Sequence, residues 1–124
     1  MPLREINRIE SDDEMYINYT MKNLYDIKPG DVLVFEVRRH FDDKKKLKQV
    51  INEVVEVKVE NPRWINFPRD LPEFYEKYKV KFEDYIEVVY THLKRGDEVI
   101  EIFPGEMKEY LDFDPDKKDE DEED

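Results

Sequence analysis

The chain has no cysteine and no alanine, one serine (Ser11), one glutamine (Gln49) and three glycines in 124 residues. Without thiols there are no disulfides, thiolate zinc centres or cysteine nucleophiles. The lone serine lies in the acidic run "ESDDE", a poor setting for a hydroxyl nucleophile. Gly30, Gly96 and Gly105 are too scattered to form a phosphate-cradling loop. No apolar run reaches the roughly eighteen residues of a membrane-spanning helix. "MPLREINRIE" offers no apolar stretch for a secretory signal. The expectation is a cytoplasmic protein. Scarce Cys, Gln and Ser beside abundant Lys and Glu fit a thermophilic protein, which predicts melting above the ordinary mesophile range.

What is present suffices for one core. Hydrophobic residues make up 39% of the chain despite 44% charge, and the length suits one domain. The net charge is −12. From Asp112 onward, "DFDPDKKDEDEED" holds nine acids, two lysines and one apolar residue, Phe113. The expected organisation is a single α+β domain over 1–111 and a disordered acidic tail over 112–124. Such a tail could instead mimic nucleic acid and compete for a basic surface, including one on its own chain.

Along the chain, "EMYINYTM" alternates Met15, Ile17, Tyr19 and Met21 and reads as a strand, although Ser11 and Glu14 also make a capping-box pattern. "KPGD" at 28–31 is a turn. It opens a strand with Leu33, Phe35, Val37 and Phe41 on one face and Val32 and Val34 on the other. A second long strand carries Leu47, Ile51, Val55, Val57 and Val59 at one parity, with room for a bulge at Val54–Val55. Leu71, Phe74, Tyr75 and Tyr78 have helical spacing, with Asp70 and Glu73 as a capping box. A second helix reads through Phe82, Ile86, Val89 and Leu93, though "YIEVVYTHL" is also rich in strand formers. "GDEVIEIF" is a last strand. The echo between "IKPGDVLVFEV" and "LKRGDEVIEIF" suggests either a duplicated unit or two ordinary Gly-Asp strand entries.

The segments "IKPGDVLVFE" (27–36), "LKQVINEVVEVKV" (47–59), "DLPEFYEKY" (70–78) and "GDEVIEI" (96–102) together resemble an ASCH domain, of the PUA-like β-barrel superfamily. The resemblance implies a small, mostly antiparallel sheet or barrel with a long hairpin and two short helices, and a bias toward RNA or nucleoside ligands. ASCH domains usually carry a Gly-x-Lys-x-x-Glu-x-Arg signature before this region. Residues 1–26 contain no glycine and no such pattern, so no catalytic residue carries over.

His40 and His92 have no triad or metal spacing and read as surface residues. The expectation is no cofactor, no metal and no catalytic residue, hence a binding module rather than an enzyme. The strongest local feature is the hairpin turn, where Arg38, Arg39, Lys44, Lys45, Lys46 and Lys48 outnumber Asp42 and Asp43. Strand alternation pairs Arg38 with His40 and Arg39 with Phe41. Such a ribbon could straddle a phosphate backbone, with Phe41 free to stack on a base. It could equally be a solubilising strand end. In "NPRWINFPR", Arg63 and Trp64 form a second candidate contact, while Phe67 reads as a core anchor. Three functions follow in order: RNA or single-stranded nucleic-acid binding, an acidic regulatory factor docking on a basic protein partner, and a nucleoside-processing enzyme. The last would need a buried cleft with convergent polar groups.

Overall fold

The computed structural model describes residues 2–116. Strands β1 (Leu3–Arg8), β3 (Val32–Phe41), β4 (Leu47–Lys58), β6 (Tyr85–Arg95) and β8 (Lys108–Leu111) line up in the order β4-β3-β6-β1-β8, and β7 (Glu98–Glu101) pairs with β6. The sheet is antiparallel except where β1 runs parallel to β8. A two-stranded ladder joins β2 (Glu14–Tyr16) to β5 (Trp64–Asn66). Among the described residues there are three short α-helices, α1 (Tyr19–Leu24), α2 (Phe67–Asp70) and α3 (Pro72–Tyr78), and a 3-10 turn at Ser11–Asp13. The α+β class holds, but the sheet stays open. Among the described residues β4 and β8 end it without meeting, so the expected barrel does not form.

The expected second helix is instead β6, the centre of the sheet. It pairs with β3 and β1 on its two sides, and Ile86 through Tyr90 are all buried. A strand covered on both faces is apolar at nearly every position, so helical spacing can be picked out of it by chance. β-branched Ile86, Val88, Val89 and Thr91 suit the pleat better than a helix. The segment expected as one strand at 15–21 divides. β2 ends at Tyr16, and Asn18 accepts from the Met21 amide (2.9 Å) to cap α1. The Asp70–Glu73 capping box does not form either. Asn66 caps α2, its own amide donates to Asp70 (2.9 Å), and Leu71 precedes α3 without a side-chain cap bond. The two Gly-Asp pairs serve different turns, one opening β3 and the other reversing β6 into β7.

A step in β3 between Val37 and Arg39 sets the faces of the hairpin. Against β6, the register of β3 passes from Val37–Val88 to Arg39–Glu87, so β3 carries one extra residue at Arg38. Against β4, the same step spans Glu53 to Val50, with Asn52 at φ +50°. Beyond the bulge the alternation of β3 reverses. His40 joins Phe35 and Val37 on the face covered by the helices, while Arg39 and Phe41 turn to the opposite face. The expected grouping of Phe41 with Leu33, Phe35 and Val37 therefore fails, although its pairing with Arg39 stands.

The helix-covered face holds the main core: Leu3, Leu33, Phe35, Val37, Val55, Val57, Ile86, Val88 and Tyr90, closed by Met15, Met21, Ile65, Phe67 and Phe74. The other face is covered at one end by the chain after β8. Phe113 packs edge-on against Phe41 (5.2 Å between ring centres) and Tyr85 (5.3 Å). Within the expected tail, Phe113 thus packs on the sheet while Asp112, Asp114 and Asp116 stay exposed, and residues 117–124 lie outside the described residues.

Candidate functional site

The hairpin turn is built by Asp42, whose carboxylate accepts from the amides of Lys44 (2.8 Å) and Lys46 (3.0 Å). Those donors hold its pKa below the usual carboxylate range. Lys45 takes the left-handed conformation that closes the turn. Lys44, Lys45, Lys46 and Lys48 are all exposed, as a binding tip requires.

The rest of the basic cluster is already engaged. Arg38 pairs with Glu36 (2.6 Å). Arg39 donates to both oxygens of Glu87 (2.6 and 3.1 Å) and to Asp116 (3.0 Å). Arg4 holds Glu87 from the other side (2.7 Å) and reaches Glu109 (2.6 Å). Glu87 is buried, which would raise its pKa, but the two guanidiniums outweigh burial and lower it. Phe41 is 3% exposed and lies under Phe113, so it cannot stack on a base. Lys45 rests over the rings of Phe113 (5.6 Å) and Tyr85 (5.9 Å), and Lys48 stands 3.6 Å from Asp84. Of the expected hairpin contacts, Lys44 and Lys46 keep the exposure and freedom the expectation asked for.

His40 is fully buried rather than on the surface. Its Nε2 lies 2.7 Å from Asp84 and its Nδ1 lies 2.8 Å from the Gln49 amide nitrogen, which also donates to the Tyr78 carbonyl (2.8 Å). A neutral ring donating from Nε2 and accepting at Nδ1 satisfies every partner. Burial lowers its pKa despite Asp84. The residue ties the hairpin to the end of α3, a structural task.

A different site appears on the helix-covered face, where β1 meets α1. A cleft of about 590 Å³ is lined by Glu5, Asn7, Tyr16, Ile17, Asn18, Tyr19, Lys22 and Arg63. Glu5 pairs with Val88 in the sheet, which turns it inward with Leu3, and it is 5% exposed. Its carboxylate accepts from Asn18 (2.8 Å) and, at 3.4 Å, from the Tyr90 hydroxyl. Burial drives its pKa up to about 7, against the lowering effect of Asn18, Tyr90 and Asn7, with Asp112 adding a small push upward. At the mouth, Tyr16 and Tyr19 are 54% and 73% exposed. Trp64 is the cross-strand neighbour of Tyr16, with ring centres 6.3 Å apart. Lys22 lies over the Tyr19 ring at 5.4 Å, and Arg63 is exposed on the rim.

The structure therefore brings Arg63 and Trp64 together with a cleft and leaves the hairpin residues on other elements. Sequence reasoning missed Glu5, Asn18, Tyr16, Tyr19 and Lys22. The one available signal was "LREIN", which puts an acid between Leu3 and Asn7 at a single strand parity. No family model, no curated protein and no solved structure matches this chain.

Proposed function

We propose that the protein is a non-enzymatic module that binds RNA or another single-stranded nucleic acid, and that a base enters the Glu5 cleft. One observation carries this reading. Two exposed tyrosines frame a cleft with two cations at its rim and buried polar groups at its floor. Base stacking on an aromatic contributes about 1–3 kcal/mol per base, and nearby lysines and arginines hold the phosphates. A cleft of this size falls within the range of small-ligand pockets. The partial ASCH resemblance points to the same ligand class. Lys44, Lys45 and Lys46 add non-specific attraction to phosphate, so the hairpin assists the site without forming it.

The test is a titration of labelled single-stranded RNA and DNA into the full chain at low and physiological salt. Binding should weaken with salt. It should fall at least about tenfold in the Tyr16→Ala/Tyr19→Ala double variant and less in the Lys44→Ala/Lys45→Ala/Lys46→Ala triple variant. Absence of binding at low salt, or binding indifferent to the tyrosines, rejects the proposal.

A second reading, an acidic factor docking on a basic protein partner, is favoured by β4. This long edge strand leaves Leu47, Val50 and Val54 more than half exposed, beside arginines neutralised within the fold. Such a partner would protect β4 amides from hydrogen exchange and leave the cleft unprotected. The reverse pattern removes this reading.

A further inference from the structure

We infer that the Glu5 cleft selects guanine, the Glu5 carboxylate accepting the adjacent N1–H and N2–H donors while a cleft tyrosine covers the ring and Lys22 and Arg63 face the phosphate. This deepens, and rests on, the proposed nucleic-acid reading. The argument begins with hydrogen-bonding capacity. A carboxylate offers about four acceptor positions. Asn18 uses one at 2.8 Å, the Tyr90 hydroxyl approaches a second at the long distance of 3.4 Å, and Asn7 adds a weaker pull on the carboxylate. Glu5 itself lines the cleft.

The floor cannot rearrange to suit another base. Asn18 is fixed at both ends of its carboxamide, the oxygen by the Met21 amide (2.9 Å) and the nitrogen by Glu5 (2.8 Å). Turning it over would uncap α1 and set an oxygen against the carboxylate. Above about pH 7 Glu5 is ionised and is an acceptor with no donor of its own, so the selection for guanine is read on the alkaline side of that value. Among the four bases, guanine alone presents two neighbouring donors on its pairing edge. Adenine and cytosine present a donor beside an acceptor, and uracil presents one donor between two acceptors. An acceptor placed against Glu5 would be repelled and left unpaired in a buried site, which is how polar pockets reject near-isosteres.

The charges around the cleft point to the same ligand. Lys22 and Arg63 against Glu5 give the lining a net charge of +1 from three residues. Cations at the mouth disfavour a cationic guest that the carboxylate and tyrosines might otherwise attract. They suit a ligand that is donor-rich at its inner end and anionic at its outer end, the polarity of a guanine nucleotide.

The experiment uses the full chain and eight-residue oligouridines carrying a single central G, A, C or U, with 5′-GMP as a separate probe. The G oligomer should bind about tenfold or more tighter than the other three, the range of one bidentate contact. Glu5→Gln presents a donor beside an acceptor, so it should erase the preference for G and raise the relative affinity for A or C. Tyr19→Ala, at an exposed position, should weaken all four oligomers alike. If the four bind equally and Tyr19→Ala weakens them, nucleic-acid binding stands and guanine selection is overturned. If no oligomer binds but 5′-GMP does, and Glu5→Gln abolishes it, guanine selection stands and the nucleic-acid reading falls. If neither oligomer nor 5′-GMP binds, both are overturned.

Discussion

Replacing Glu5 by Gln should change how stability depends on pH, by an amount that the cleft itself sets. In the unfolded chain Glu5 titrates near its ordinary value of 4.5, whereas burial in the fold raises it to about 7. The folded protein therefore binds this proton more tightly. The stability that neutral Glu5 contributes is fully present below about pH 4.5 and is lost as pH rises through about 7. One pKa unit corresponds to about 1.4 kcal/mol, so the loss across that window is about 3 kcal/mol. A carboxamide of nearly the same shape cannot ionise and escapes the loss. Urea denaturation of both proteins from pH 4.5 to 9 isolates the effect, because every other titrating group is common to the two. The stability difference should swing by about 3 kcal/mol toward the Gln variant between pH 4.5 and 8 and stay flat above. A difference that is constant across this range would refute the reasoning. It would mean that the donors Asn18, Tyr90 and Asn7 hold the carboxylate charged despite its burial.

Other substitutions probe the fold away from the cleft. Glu87→Ala leaves the guanidiniums of Arg4 and Arg39 facing each other without their shared carboxylate, and should cost about 3–5 kcal/mol in urea denaturation; a loss below about 1 kcal/mol would show that water replaces the carboxylate. His40 should hold the Nε2–H tautomer at pH 7 in ¹⁵N spectra. Its depressed pKa makes its contribution to stability present above the unfolded value of 6.5 and lost as pH falls toward the lower folded value; titration at or above 6.5 would contradict the buried network. Phe113→Ala uncovers Phe41 and Tyr85 and should cost about 1–2 kcal/mol, a melting shift of several degrees; a shift below about one degree would mean that the segment after β8 does not stabilise the sheet.

The basic hairpin illustrates what a charge pattern in sequence conveys. Six bases near one turn are visible at once, but their partners are not. Glu87 is 48 residues from Arg39, and Asp116 is 77 away. Ion pairing at that range depends on strand order, which local periodicity does not encode. The cleft was hidden for a related reason. Its lining comes from β1, the segment around α1 and the approach to β5, and each piece is an ordinary polar stretch by itself. Neither "LREINR" nor "INYTMK" shows the clean alternation that identifies a face.

By itself the sequence determined the elements whose side-chain period is unambiguous. These are the β3–β4 hairpin with its charged turn, the helix at Pro72–Tyr78, the strand after Gly96, and the α+β class. Along α3 and along β3 as far as Val37 one apolar stripe has one place to go, so local pattern and global fold agree there. Only the tertiary structure decided that 85–95 is the central strand, that a bulge at Arg38 reverses the faces of β3, and that the sheet stays open. It also decided that the hairpin arginines Arg38 and Arg39 are paired within the fold and that a buried carboxylate lies beneath two exposed tyrosines. These outcomes depend on which strands pair and in what register. Those choices are fixed by burial and hydrogen bonding summed over distant segments, quantities that no short window of sequence contains.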